Sequence, residues 1–207
     1  MTRVYIWYPT IRDDAGGKLE NLNIGHAAMH LGNDYDPKNS EFYVSWWPGG
    51  GFSFTSPQIV AEKAQPRHRR RFESDCIAEG APPHVVYTLE CEPYQNIAMN
   101  EAWKQIMYGK SKPSYHVYRK NCSSVVARVL KAGGMQWPMG NMDQLMKTKN
   151  VIWMPRDIAE WCDKLCALGK ATKRKSKNCP EKWDKAPDQY YPRFQWSQFH
   201  WVLLGMR

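Results

Sequence analysis

The run Asn121-Cys122-Ser123-Ser124-Val125-Val126-Ala127-Arg128-Val129-Leu130-Lys131-Ala132-Gly133-Gly134 constrains this chain more than any other segment. Asparagine can accept hydrogen bonds from the open amides of a first helical turn. Lysine complements the carbonyl end, and glycine suits the left-handed residue that stops a helix. The spacing therefore predicts a helix capped by Asn121, with Gly133 at the left-handed position. Cys122 opens that helix on the side of Val125, Val126, Val129 and Leu130, so its thiol points toward whatever the helix docks on. An ordinary thiol, with a pKa near ~8.5, is only a few per cent ionised at neutral pH. A helix N-terminus and a neighbouring imidazolium both raise that fraction. A buried, inert cysteine beginning a core helix is the competing reading of the same pattern.

Other elements are legible around this helix. Val4 to Tyr8 reads as a strand closed by Pro9, and Asp13-Asp14-Ala15-Gly16-Gly17 as a turn. Ile24 to Leu31 and Glu41 to Trp47 read as two strands of an antiparallel hairpin with a long connection. Residues 52–83 show no clear period and are expected to be a long surface excursion. His84 to Glu90 alternates like a strand. Met99, Ala102, Trp103, Ile106 and Met107 have helical spacing, with Gly109 as the stop. Tyr115 to Tyr118 reads as a short strand, and Pro155 to about Leu168 as a helix closed by Gly169.

These elements place one domain in residues 1–169. Residues 170–207 are expected to form a basic, mobile linker and an aromatic C-terminal segment that packs back on the domain. Ten tryptophans in 207 residues supply apolar area for a core. The net charge of +9 favours anionic partners, but it is concentrated at Arg67-His68-Arg69-Arg70-Arg71 and at Lys170, Lys173, Arg174, Lys175 and Lys177. Neither cluster has interleaved aromatics or a nucleic-acid fold motif, so no specific nucleic-acid partner is expected. No C-x-x-C pair occurs among the six cysteines, which argues against zinc ribbons and thioredoxin-like redox sites. Cys162 and Cys166 fall on a helical stripe with Ile158, Trp161 and Leu165, where buried thiols are ordinary. The first residues lack the charged and apolar regions of a signal peptide, and no run approaches ~20 apolar residues. Synthesis in the cytoplasm is expected, with any export independent of a signal peptide.

A base for Cys122 must come from six histidines. His68 lies among arginines, His84 starts a strand after two prolines, and His200 is in the aromatic tail. His116 is near in sequence, but a strand–turn–helix path carries it away from the thiol. His26 and His30 remain, on one face of the same strand by period two. Residue types alone do not choose between them.

Gly25-His26-Ala27-Ala28-Met29-His30-Leu31-Gly32 followed by Tyr43-Val44-Ser45-Trp46-Trp47-Pro48 resembles the histidine strand and next strand of papain-like NlpC/P60 hydrolases. Asn121-Cys122-Ser123-Ser124-Val125-Val126 resembles the nucleophile helix of that superfamily. Here the cysteine follows the histidine, as in permuted members that include lecithin:retinol acyltransferase-like proteins. The order is also similar to that of type VI secretion toxins. The resemblance implies an α+β, permuted papain-like fold, with a small antiparallel sheet packed on the Cys122 helix. It makes Cys122 the nucleophile and His26 the base, with Ser45 as the orienting third residue. Glu41, on the same strand face by period two, competes with Ser45. Asn121 or Ser123 would lie near the oxyanion site, with the Cys122 amide as a donor.

The implied chemistry is cofactor-free and metal-free acyl transfer: hydrolysis of a peptidoglycan amide by a secreted antibacterial effector. A cognate immunity protein and a secretion-apparatus carrier would be its partners. The same dyad acting on lipid esters, as a phospholipase or acyltransferase, is an alternative. So is a catalytically silent binding module using Arg67–Arg71 and the tryptophan-rich end. Trp46 and Trp47 suit sugar or acyl packing equally well.

Overall fold

The computed structural model describes residues 1–11, 22–23, 25–32, 40–48, 71–109, 114–116, 120–139 and 152–180. Its frame is a five-stranded antiparallel sheet whose centre is the N-terminal strand β1 (Thr2–Trp7). Two short strands, β2 (Thr10–Ile11) and β3 (Leu22–Asn23), form a separate pair. On one side β1 pairs with β4 (His26–His30), with Trp7 opposite His26 and Arg3 opposite His30. β4 in turn pairs with β5 (Tyr43–Val44), as the hairpin reading expects. On the other side β1 pairs with β6 (Val85–Leu89), which pairs with β7 (Ala171–Lys175) at the sheet edge.

Period-two alternation divides the sheet into two faces. Val4, Ile6, Ala27, Met29, Val44, Val85, Tyr87 and Leu89 belong to the main core. Three helices cover that face: α2 (Pro93–Tyr108), α3 (Cys122–Ala132) and α4 (Pro155–Ala167). Helix α3 packs on β4, so the helix that begins with Cys122 lies against the strand that begins with His26. Tyr5, Trp7, Ala28 and Tyr43 form a smaller cluster on the other face, with Phe72 and Cys76. Those two residues belong to helix α1 (Phe72–Glu79), so α1 covers the face opposite α3.

Four expectations need correction. The 52–83 stretch is not an unstructured excursion throughout. Residues 51–70, including most of the arginine cluster, lie outside the described residues, but α1 occupies 72–79 and ends at Gly80, φ 71°. The lysine-rich start of 170–207 is a strand rather than a linker, because Ala171, Thr172 and Lys173 pair with Leu89, Thr88 and Tyr87. Charged side chains suit an exposed sheet edge, where they discourage pairing with other chains. The aromatic segment after residue 180 lies outside the described residues. Glu41 to Trp47 is not a continuous strand: a 3-10 turn occupies Ser40–Phe42, and pairing is confined to Tyr43 and Val44. Finally, Gly133 is not left-handed, with φ −74°, whereas Gly134 is, with φ 69°. Gly133 answers a packing demand instead, since a Cβ there would lie 2.6 Å from Met99 Cγ on α2.

Candidate functional site

The Cys122 helix begins as its N-cap predicts. Asn121 has extended backbone, and its Oδ1 accepts the Ser124 amide at 2.8 Å. Its side-chain amide donates to the Trp153 carbonyl at 2.8 Å, which ties the helix start to the entry of α4. Asn121 is thus occupied as a scaffold, on both sides of its amide, rather than placed at an oxyanion site. Cys122 is 6% exposed, with Ser123 Oγ 3.8 Å from its sulfur. The Ala27 amide of β4 also hydrogen-bonds the sulfur.

His26 begins β4, where the chain enters through Gly25. That glycine has φ 77°, and a Cβ on it would lie 2.3 Å from the Trp7 carbonyl oxygen. Only glycine allows the backbone to turn this close to β1 and place His26 at the strand end. From there the imidazole serves both faces of the sheet. On one side it is electrostatically coupled to the Cys122 thiol of α3, while its Nε2 lies 3.1 Å from Asp75 Oδ2 of α1. His30 sits at the other end of β4, about 13 Å away for four residues of extended chain. His116, half-buried, is in an isolated bridge with Lys120. His84 Nδ1 accepts the Tyr8 amide at 2.8 Å. His68 and His200 lie outside the described residues.

Ser45 does stand beside the imidazole, with Oγ 3.3 Å from His26 Nε2, but it is not the dominant partner. It donates to Asp75 Oδ2 at 2.7 Å. Glu41 is exposed on the 3-10 turn, because that turn breaks the period-two register that would have aligned it with Ser45. The carboxylate that faces His26 is Asp75, which the sequence pattern does not reveal. Its carboxylate collects donors from three further side chains: Ser45, Tyr43 O–H at 2.8 Å to Oδ2, and Trp47 Nε1–H at 2.9 Å to Oδ1. Trp47 also lies over the His26 ring, with centroids 4.4 Å apart and planes 29° from parallel.

Proton accounting then fixes the imidazole tautomer. Tyrosine, serine and tryptophan here supply hydrogens, and the carboxylate only accepts. Nε2 of His26 must therefore carry its own hydrogen toward Asp75, which leaves Nδ1 as the nitrogen available to the thiol. Burial of His26 (2% exposed), Asp75 (0%) and Cys122 opposes every charge in the group. Mutual attraction overrides it. Burial pulls the His26 pKa down, but the charges of Asp75 and Cys122 and hydrogen bonds to both push it up to about 10. The Asp75 carboxyl and the Cys122 thiol both lie below their ordinary values, against their burial, through the charge and hydrogen bonding of His26. These directions all favour charge: a thiolate–imidazolium pair backed by a carboxylate is promoted over the neutral thiol. Such a group can attack an electron-poor carbonyl and return a proton to a leaving group.

Comparison with known proteins bears on part of the chain. A family model described as the IcsB middle domain matches residues 78–184, slightly more than half of the chain. The chain belongs to this family. No curated protein and no solved structure matches it. The matched region contains Cys122 and helices α2 to α4, whereas His26, Ser45 and Asp75 precede it. Among the described residues, no group of three or more His, Cys, Asp or Glu side chains is placed to hold a metal ion. No helix among them is long and apolar enough to cross a membrane.

Proposed function

We propose that this chain is a cysteine acyl-transfer enzyme of the permuted papain-like kind, working through Cys122, His26 and Asp75. The observation that carries the reading is the buried contact of Asp75 with Nε2 of His26, an imidazole that is also coupled to the Cys122 thiol. In the first half-reaction the Cys122 thiolate forms a C–S bond to a substrate carbonyl. The negative oxygen is held by the Cys122 amide at the helix start, where the helix dipole also favours it. The imidazolium passes its Nδ1 proton to the leaving nitrogen or oxygen as that bond breaks. In the second half, Nδ1 takes a proton from water or another acceptor, which attacks the thioester and releases Cys122 as thiolate. Asp75 stays ionised throughout and stabilises the imidazolium.

The amide of a peptidoglycan peptide is the first substrate class, and delivery into a target cell as an effector is the first setting. Membership of the IcsB middle-domain family, a region of a Shigella effector, supports an exported bacterial effector. A second reading, acyl transfer from a lipid ester, is favoured by the dryness of the centre. Ser45 is 1% exposed and Asp75 fully buried, and exclusion of water favours an organic acceptor over hydrolysis. Purified protein incubated with peptidoglycan sacculi or phospholipid vesicles, followed by mass spectrometry of products and of Cys122, tests both. An acyl adduct on Cys122 supports the mechanism, and the substrate that yields it identifies the class. Turnover by Cys122→Ala on either substrate would end the proposal.

A further inference from the structure

Oδ2 of Asp75 is shared by three donors, and only one of them is the base. His26 approaches at 3.1 Å, Ser45 at 2.7 Å and Tyr43 at 2.8 Å. Tyr43 comes from β5, and its ring is locked by Phe72 of α1 (centroids 6.5 Å, 88°) and by Tyr5 of β1 (6.3 Å, 47°). The phenol is 3% exposed and joins the strand next to the base directly to the helix that carries the carboxylate. Without it, Oδ2 of Asp75 would keep Ser45, a small hydroxyl that also accepts from Trp47 at 3.0 Å, and the base itself, with Trp47 alone on Oδ1 among the described donors.

We propose that Tyr43 is a positioning residue for acyl transfer, whose hydroxyl holds the Asp75 carboxylate ionised and aimed at His26. It does not touch the reacting thiol. It acts through Asp75, which sets how strongly the imidazolium persists beside Cys122. The inference rests on the acyl-transfer reading and adds to it a fourth member that neither the family match nor the sequence pattern assigns. Other ionisable groups around the carboxylate are His26 on β4, with Cys122 of α3 beyond it, and Glu73, Cys76 and Glu79 on α1 itself. Tyr5 of β1 adjoins Tyr43.

The experiment measures the rate of iodoacetamide alkylation at Cys122 from pH 4 to 10, resolved from the other five cysteines by peptide mass spectrometry. Tyr43→Phe keeps the ring and removes the hydroxyl. It should lower Cys122 reactivity at pH 6 by roughly tenfold, the equivalent of one hydrogen bond to a charged group. In an Asp75→Asn background the same substitution should have little further effect, because the route through Asp75 is already cut. Replacing Tyr43 by 3-fluorotyrosine, a stronger donor of nearly the same size, should move the profile toward lower pH and covers the case in which Tyr43→Phe does not fold. An unshifted profile in the fluorinated protein, or equal effects of Tyr43→Phe with and without Asp75, overturns the inference. If the wild-type thiol itself titrates as an ordinary exposed cysteine, the acyl-transfer reading fails instead, and the two failures are thereby distinguished.

Discussion

Asp75→Asn removes a charge while keeping the shape of the side chain. The wild-type carboxylate is fully buried and accepts from His26, Ser45, Tyr43 and Trp47. An amide offers one acceptor oxygen and one donor nitrogen. The less damaging orientation leaves oxygen facing the three donors at Oδ2 and turns its NH₂ toward the Trp47 N–H, donor against donor. One hydrogen bond to a charged group is then lost, worth about 1.5–3 kcal/mol. The buried pair with His26 is broken as well, a change that costs about 3–5 kcal/mol when the surviving charge stays buried. Because His26 can shed its proton, these costs overlap, and a net loss of about 3 kcal/mol is expected near pH 6. That is a large share of the ~5–15 kcal/mol that holds a domain together. Reactivity should fall by about 10²-fold or more, since the imidazole no longer acts as a charged partner to the thiol.

The pH dependence of that loss has a definite sign. Asp75 titrates in the fold below its ordinary 3.8, so its contribution is present above that value and disappears as acid protonates it. His26 titrates near 10 against an ordinary 6.5, so its contribution is complete below 6.5 and is lost as pH rises through about 10. The gap between wild type and Asp75→Asn in denaturant unfolding should therefore be widest between pH 3.8 and 6.5 and narrow on both sides. A gap that is flat with pH, or a variant whose Cys122 alkylates at the wild-type rate, would refute the relay.

Cys122→Ala should abolish acyl-adduct formation and product release while circular dichroism stays that of the wild type. His26→Ala should lower the rate about 10²-fold or more, with His30→Ala and His116→Ala far milder in the same assay. Ser45→Ala should cost about tenfold or less, because Tyr43, Trp47 and His26 still hold the carboxylate; a 10³-fold loss would make serine, not aspartate, the orienting residue. Gly25→Ala forces a left-handed backbone and a Cβ into the Trp7 carbonyl, so thermal unfolding should show a loss of at least ~2 kcal/mol, and a neutral result would mean that the entry to β4 differs from that described.

Much of this site is written in local pattern, and its missing member is not. Cys122 announces itself through Asn121 and the valine–leucine stripe of its helix, both of which the fold retains. His26 needed help from the neighbouring motif, since a histidine at a strand end has no signature of its own. Asp75 escaped because α1 is eight residues long, begins at Arg71 without a side-chain cap, and buries two acids rather than an apolar stripe. Gly80, left-handed at its end, was the one available signal of a helix there. Strand β7 escaped for a related reason: its threonine, lysines and arginine read as a solvated segment, and only pairing with β6 makes them a strand. Ser45 was found in the right place, but its role depends on a residue 30 positions away.

The two-faced construction around β4 also decides when the protein becomes chemically competent. His26 meets an acid 49 positions later from one side of the sheet and a thiol still further along from the other. Contacts of such long sequence separation must first meet the entropy of closing the intervening loops, so they mature late in folding. A nascent or partly unfolded chain, including one being threaded through a narrow channel, holds an ordinary thiol with no acid relay behind it. Under the proposed acyl-transfer chemistry, reactivity requires helices docked on both faces of a finished sheet, which would make Cys122 a chemical readout of completed folding.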